Sequence, residues 1–170
     1  MTESSVSMPD VCSPHEFRSL MSEFPSGVAI VTTLDDDGRP WGMTCSALCS
    51  LTTAPPTLLV CLRAESPTLD AILRRGTFAV NLLHGGSQSV AELFSSRMSV
   101  PERFTSVDWS TGPSGPHLTG HAHAIADCRV ARTADGGSHV ILFGRVGCVT
   151  QHRGPGPLLY GRRRYRNWPE

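Results

Sequence analysis

HLTGHAHAIADCRVARTADGGSHVILFGRVGCVT, residues 117–150, is the stretch from which the fold can be read. Apolar and polar side chains alternate from His117 to Arg132 well enough for one long strand, and again from His139 to Thr150 for its partner. Between them, Asp135-Gly136-Gly137 supplies the residues that turn a chain back on itself. An antiparallel ribbon of this length makes sheet the organising element.

Outward from the ribbon, four shorter runs read as strands. Val28–Leu34 and Pro40–Ser46 flank the turn-forming Asp35-Asp36-Asp37-Gly38, as in a hairpin. Thr57–Leu62 follows Pro55-Pro56, which cannot donate to a ladder and so marks a strand start. Thr77–Leu83 is the fourth, and Leu158–Tyr165 is a further candidate near the end of the chain.

Three helices complete the pattern. Ser13 with Glu16 three positions on forms a capping box, opening a helix through Glu23 with Phe17, Leu20, Met21 and Phe24 on its inward face. Ser66-Pro67 opens a second, which buries Leu69, Ile72 and Leu73 and stops at Gly76. Ser87–Arg97 is the third, with Val90, Leu93 and Phe94 inward, and residues 98–116 form an ordered loop anchored by Trp109. This order is neither repeated βαβ nor hairpins alone. It predicts a mainly β domain with helices, a closed and mostly antiparallel barrel over residues 13–165, with a loose arm at 1–12 and a tail at 166–170.

Composition narrows the chemistry. One domain is the expected content of 170 residues. The chain has no Lys, so Schiff-base, pyridoxal and Lys-dependent phosphate-loop mechanisms are excluded. Residues 1–150 carry 10 Arg against 14 acids, and residues 151–170 carry 5 Arg against 1, so positive charge is confined to the tail and nucleic-acid binding is disfavoured. The six Cys lack a Cys-x-x-Cys pair and sit mostly in apolar runs, which suits buried thiols in a reducing cytoplasm. With neither a signal-like N-terminus nor a membrane-length apolar run, the expectation is a cytoplasmic protein without membrane contact.

Hydrolytic motifs are missing: there is no Gly-x-Ser-x-Gly elbow and no His-Glu-x-x-His. Gly42-Met43-Thr44-Cys45-Ser46-Ala47 instead combines small and hydroxyl residues, either leaving room for a large flat ligand or forming an ordinary bulged strand. Ser66 and Thr68 at a helix start are either a simple cap or a phosphate site. His139 opens a strand after a Gly-Gly turn, where it can project from the barrel rim. His121 and His123 share a strand face, but Cys128 has the opposite parity, so no metal site is expected.

Read together, these segments resemble the short-chain flavin reductases, the NAD(P)H-dependent partners of two-component flavin monooxygenases. The resemblance spans about residues 15–165. It rests on Phe17-Arg18, Phe24-Pro25-Ser26-Gly27-Val28, Gly42 through Ala47 with Ser50, Pro55-Pro56 and Cys61, Ser66 with Thr68, and Gly76 through Leu83. Further on come Arg103-Phe104, Gly137-Ser138-His139 with Gly144, and Pro157 through Tyr160.

The resemblance implies a split β-barrel of the flavin reductase-like, FMN-binding type. Flavin, as FMN or FAD, would lie along Pro40, Trp41, Gly42, Met43, Thr44, Ser46 and Ala47. Its phosphate would sit near Cys61, Leu62 and Arg63 and near Ser66 and Thr68, with Phe94 closing one side. His139 would be the catalytic residue, and Tyr160, Arg162 and Tyr165 would line the nicotinamide side, where NADH or NADPH delivers hydride. A homodimer is implied, together with a monooxygenase that receives diffusible reduced flavin. Ser138 stands where the family commonly has Asp, and Gly161-Arg162-Arg163-Arg164 replaces a usual Tyr-Arg-Gly run. Two other readings stay open: a flavin carrier or sensor without turnover, and another split-barrel flavin oxidase, against which the missing Lys weighs.

Overall fold

The computed structural model describes residues 11–169; most of the expected arm, 1–10, lies outside the described residues. Helix α1 (Pro14–Ser22) leads into the short β1 (Ser26–Gly27), then β2 (Ala29–Leu34), β3 (Pro40–Cys45), β4 (Leu48–Thr53) and β5 (Pro56–Arg63). Helix α2 (Pro67–Arg75) and β6 (Thr77–Leu83) follow, then a 3-10 turn (Gly85–Ser87), α3 (Gln88–Ser95) and α4 (Val100–Thr105). The rest is β7 (Ser110–Thr111), β8 (Pro116–His117), β9 (Ala122–Asp135), β10 (His139–Gln151), β11 (Leu158–Gly161) and β12 (Arg164–Asn167).

Seven strands form one antiparallel sheet in the order β3-β2-β6-β9-β10-β5-β4. Alternation along β2 sends Ala29 and Val31 into a core with Val60, Leu62, Phe78, Val80 and Leu142, inside the curl of the sheet. The opposite face sends Val28 and Ile30 into a second core with Phe94, Phe104, Leu118 and Leu158, beneath α3 and α4. The curl is concentrated in the β9–β10 ribbon, whose register slips at Phe143/Gly144 and at Val146/Cys148. At Gly144 a Cβ would sit 2.5 Å from the Phe78 ring, so only glycine lets the ribbon bend over that ring.

The expectation of a closed barrel is corrected. The edge strands β3 and β4 do not pair, and the sheet is open. Its two ends approach where the chain crosses from β3 to β4, and there Cys61 N–H donates to Ala47 C=O at 2.9 Å. Beyond this seam the edge of β3 is flanked by α3 and α4 rather than by a strand.

Local expectations divide in an instructive way. The Ser13–Glu16 capping box forms, but the apolar face of α1 is not inward: no α1 residue is buried, and Leu20 and Phe24 are each 67% exposed. Leu73 likewise points outward from α2. The long strand from His117 is interrupted, because His121 and Ala122 both donate to Leu118 C=O and place His121 in a turn ahead of β9. The final strand is a hairpin, β11–β12, whose second arm runs to Asn167, two residues past the expected boundary at 165.

The buried carboxamide of Asn81 holds β6, β2 and the 116–118 crossing together. Its Nδ2 donates to Ile30 C=O (3.2 Å), Thr32 Oγ1 (3.1 Å) and Pro116 C=O (3.2 Å), and its Oδ1 accepts from Leu118 N–H (2.8 Å). Asn81→Leu keeps the volume and orphans these groups. It is expected to cost roughly 2–4 kcal/mol in urea unfolding, whereas a loss below ~1 kcal/mol would mean the network is dispensable.

Candidate functional site

Strand β3 is an edge whose free side can be identified from two hydrogen bonds. Leu83 N–H to Val28 C=O (2.9 Å) turns the main chain of Val28, Ile30 and Thr32 toward β6, and Asp35 N–H to Arg39 C=O (2.9 Å) turns the odd-numbered positions toward β3. Through the register Val31↔Met43 and Thr32↔Gly42, the main-chain groups of Gly42 and Thr44 therefore point away from the sheet. Arg103 meets Gly42 C=O from that side at 3.4 Å.

Next to this edge lies a cavity of about 1130 Å³ between β3, the start of α2, the α3–α4 connection and the β9–β10 turn. Trp41, Met43, Thr44, Arg63, Ser66, Thr68, Phe94 and His139 line it, so eight of the expected site residues are gathered there from five separate segments. Each is held by identifiable contacts. Trp41 Nε1 donates to Asp35 Oδ2 at 3.0 Å, and this bond, helped by the Arg39 and Asp37 amides, keeps the Asp35 carboxyl below its usual range. Thr44 Oγ1 donates to Ala91 C=O at 2.7 Å, so its proton is committed to docking α3. Ser66 caps no amide of α2; its hydroxyl rests 3.2 Å from Met43 Sδ. Ala64 N–H donates to Ser138 C=O (3.0 Å), which brings the rim residue His139 beside Arg63, with its Nδ1 3.0 Å from Ser138 Oγ.

A second cavity, about 560 Å³, lies on the other side of the seam. Ser46, Ala47, Cys61, Tyr160 and Arg162 line it, with Phe17, Met21 and Phe24 of the α1 region. Arg162 is paired to Glu23 (Nη2–Oε2 2.7 Å), and the Tyr160 and Tyr165 rings meet in a tilted contact, centroids 5.0 Å apart and planes at 56°.

Four expected residues line neither cavity. Leu62 is in the inner core, and the Gly42 Cα faces Phe94 and Phe104, where a Cβ would meet ring atoms at 3.0 and 3.1 Å. Pro40 sits at the start of β3, and Tyr165 packs beneath Tyr160 against the second core. Two expectations are corrected here: the helix expected through Arg97 ends at Ser95, leaving Ser96 in the α3–α4 connection, and the loop expected over 98–116 contains α4, opened by the Ser99–Glu102 capping box and carrying Arg103. Burial pushes the Cys45 and Cys128 thiols up to about 11 and about 12, so neither is a ready nucleophile, while Cys12, Cys49 and Cys148 are exposed, contrary to the expectation of mostly buried thiols. Among the described residues no three His, Cys, Asp or Glu side chains gather as metal ligands.

An open, curled antiparallel sheet with a ligand-sized split along one edge defines a flavoprotein-like split barrel. Residues 21–169 match the family model described as "Flavin reductase like domain", and the chain belongs to that family. It is 46% identical over 156 residues to a flavin reductase (NADH) of Kitasatospora aureofaciens, covering 90% of this chain and 81% of that protein. It is 40% identical over 153 residues to the reductase subunit HsaB of a flavin-dependent monooxygenase of Rhodococcus jostii, covering 89% and 76%. The solved NADH:FAD oxidoreductase SgcE6 of Streptomyces globisporus, in complex with NAD and FAD fragments, superposes with a TM-score of 0.84 at 28% identity, covering 95% of this chain and 98% of that one.

The turn between β11 and β12 holds Arg162 and Arg163 at φ 49° and 58°, where glycine or asparagine is the usual occupant. Arg163→Gly removes a left-handed arginine from the hairpin tip. The variant is expected to unfold about 1 kcal/mol harder in a denaturant titration, and a loss of stability would show that the Arg163 side chain itself holds the tip.

Proposed function

We propose that the chain is an NAD(P)H-dependent flavin reductase that binds flavin in the larger cavity, along the free edge of β3, and hands the reduced product to a separate monooxygenase. The observation that carries this reading is the main-chain edge of β3 at Thr44, unpaired with any strand, beside a cavity that also contains the Ser66 hydroxyl, which caps no helix amide and donates only to Met43 Sδ. A flavin ring needs such in-plane donors and acceptors, and its phosphate needs hydroxyl, amide and guanidinium donors, as Ser66, Thr68 and Arg63 provide. Flavin bound there would supply the redox chemistry, as acceptor of a hydride from the reduced nicotinamide.

The chain's own part is positional. Edge amides of β3 hold the ring plane, and Met43 and Phe94 wall it. His139 at the rim donates to the pyrimidine side or to the nucleotide, where it stabilises charge gained on reduction. Tyr160 and Arg162, across the seam, border the space for the nicotinamide. Retention is expected to be moderate, because the cavity is an open split that product must leave. NADH consumption with added FMN or FAD tests the reading: dialysed protein should be inactive until flavin is restored, and bound flavin without turnover would make it a carrier. His139→Ala should lower turnover by about 10- to 100-fold with flavin still bound, equal to ~1.4–2.7 kcal/mol of transition-state stabilisation. Wild-type kinetics would return His139 to an incidental rim residue.

A homodimer belongs to the same reading. Phe17, Leu20, Met21 and Phe24 form an exposed apolar face beside the smaller cavity, and a second copy would cover it while closing that cavity. The six cysteines are free, which fits a cytosolic setting. Sedimentation at micromolar protein should give close to twice 18.3 kDa; a fully active monomer would refute the dimer.

A further inference from the structure

We propose that Arg103 is the positioning residue of the larger cavity, a latch that holds the α3–α4 connection against the edge of β3 and so sets how tightly flavin is held. The inference rests on the flavin reading above and concerns a side chain to which that reading gives no role.

Arg103 stands on α4 and makes no ion pair among the described residues. Its neighbour Glu102 is committed to Ser99, accepting from both its amide and its hydroxyl. The guanidinium instead donates to four carbonyl oxygens: Nε to Met98 (2.9 Å), Nη1 to Phe94 (3.2 Å) and Gly42 (3.4 Å), and Nη2 to Ser96 (2.9 Å). Phe94 and Ser96 are at the C-terminal end of α3, where carbonyls lack helical partners and the helix dipole is negative. Gly42 belongs to the edge strand. One planar cation thus ties three things together: the end of α3, the connection that follows it, and the strand along which the ligand lies.

Little else holds that connection. Residues 95–99 are exposed, and Met98 is 42% exposed, so burial of apolar surface contributes little to their placement. Ser96 and Met98 nevertheless line the cavity, and Phe94 closes it. Thr44 Oγ1 fixes α3 one turn earlier through Ala91 C=O. Past the Phe94 ring, buried against Phe104, Ser96 Oγ donates to Leu93 C=O and accepts from Met98 N–H, bonds internal to the segment, and its hydrogen-bonded tie to β3 is Arg103. An ordinary helix cap would contribute stability alone. A latch has a further consequence: losing it lets the wall move away from the β3 edge, weakening flavin binding while leaving the reacting groups in place.

The test uses the full chain with Arg103→Ala and Arg103→Lys, the lysine keeping the charge but not the fork of donors. The latch predicts a rise of about tenfold in the KM for flavin, with the loss falling mainly on KM rather than kcat, in both variants. Millimolar guanidinium should restore the KM of the alanine variant and leave that of the wild type unchanged. Amide hydrogen exchange at 95–99 should quicken in flavin-free variants, a readout that stands even where the wild type reduces no flavin, so failure of the flavin reading is seen separately. Unchanged exchange, or faster exchange with unchanged KM, overturns the latch. Should Arg103→Ala fail to fold, the lysine variant decides on the same measurements.

Discussion

Asn81 is one carboxamide in the middle of the sheet, on β6, and its four partners come from two other parts of the chain, β2 and the 116–118 crossing. Because it accepts from Leu118 N–H and donates to Pro116 C=O, it fixes where the 108–118 crossing meets β6 and β2. Thr32 Oγ1, donating to the same Pro116 carbonyl at 2.6 Å, reinforces the junction. From this point the sheet extends in both directions: through β2 to the open edge at β3, and through β9 and β10 to β5 and β4. A buried polar cluster in which every donor has an acceptor specifies one register, since a slip by one residue would leave several groups unpaired in an apolar interior.

Much of the framework was legible in the chain because local signals and tertiary demands agreed. Thr77–Leu83 is a strand over the predicted residues, and α2 opens at Ser66-Pro67 with proline in its first turn, although the serine side chain caps no amide. Strand β4 escaped notice because Leu48–Thr53 is largely exposed and mixes hydroxyls with apolar residues without alternation; its existence depends on β5, which no local reading sees. Barrel closure was overestimated for a related reason. Strand count and alternation are local quantities, whereas the gap between β3 and β4 arises because the bulges at Gly144 and Gly147 determine the curl and because helices occupy the flank of β3.

The candidate site was legible to a similar extent. Trp41, Met43, Arg63, Ser66 and His139 meet in one cavity, but Leu62, next to Arg63 on β5, faces the core, since strand parity decides the face and a contiguous motif ignores it. Arg103 shows the opposite failing. It stands in the sequence as one half of a matched dipeptide, and nothing local indicates that a guanidinium with no acidic partner will find four carbonyls, drawn from β3, the end of α3 and the connection that follows it.

The free edge of β3 has one more implication. A strand edge with unsatisfied amides and carbonyls is a template for any extended peptide, and soluble proteins usually blunt such edges with charge, proline or a bulge. Here Pro40 protects the first position and Arg103 occupies the Gly42 carbonyl, which leaves the main chain of Thr44 without a strand partner. Shielding comes from the α3–α4 segment standing across the edge, with Arg103 reaching Gly42 C=O. On the proposed reading, the surface that could nucleate aggregation is kept as a receptor, and an occupied cavity would double as protection against non-native strand pairing.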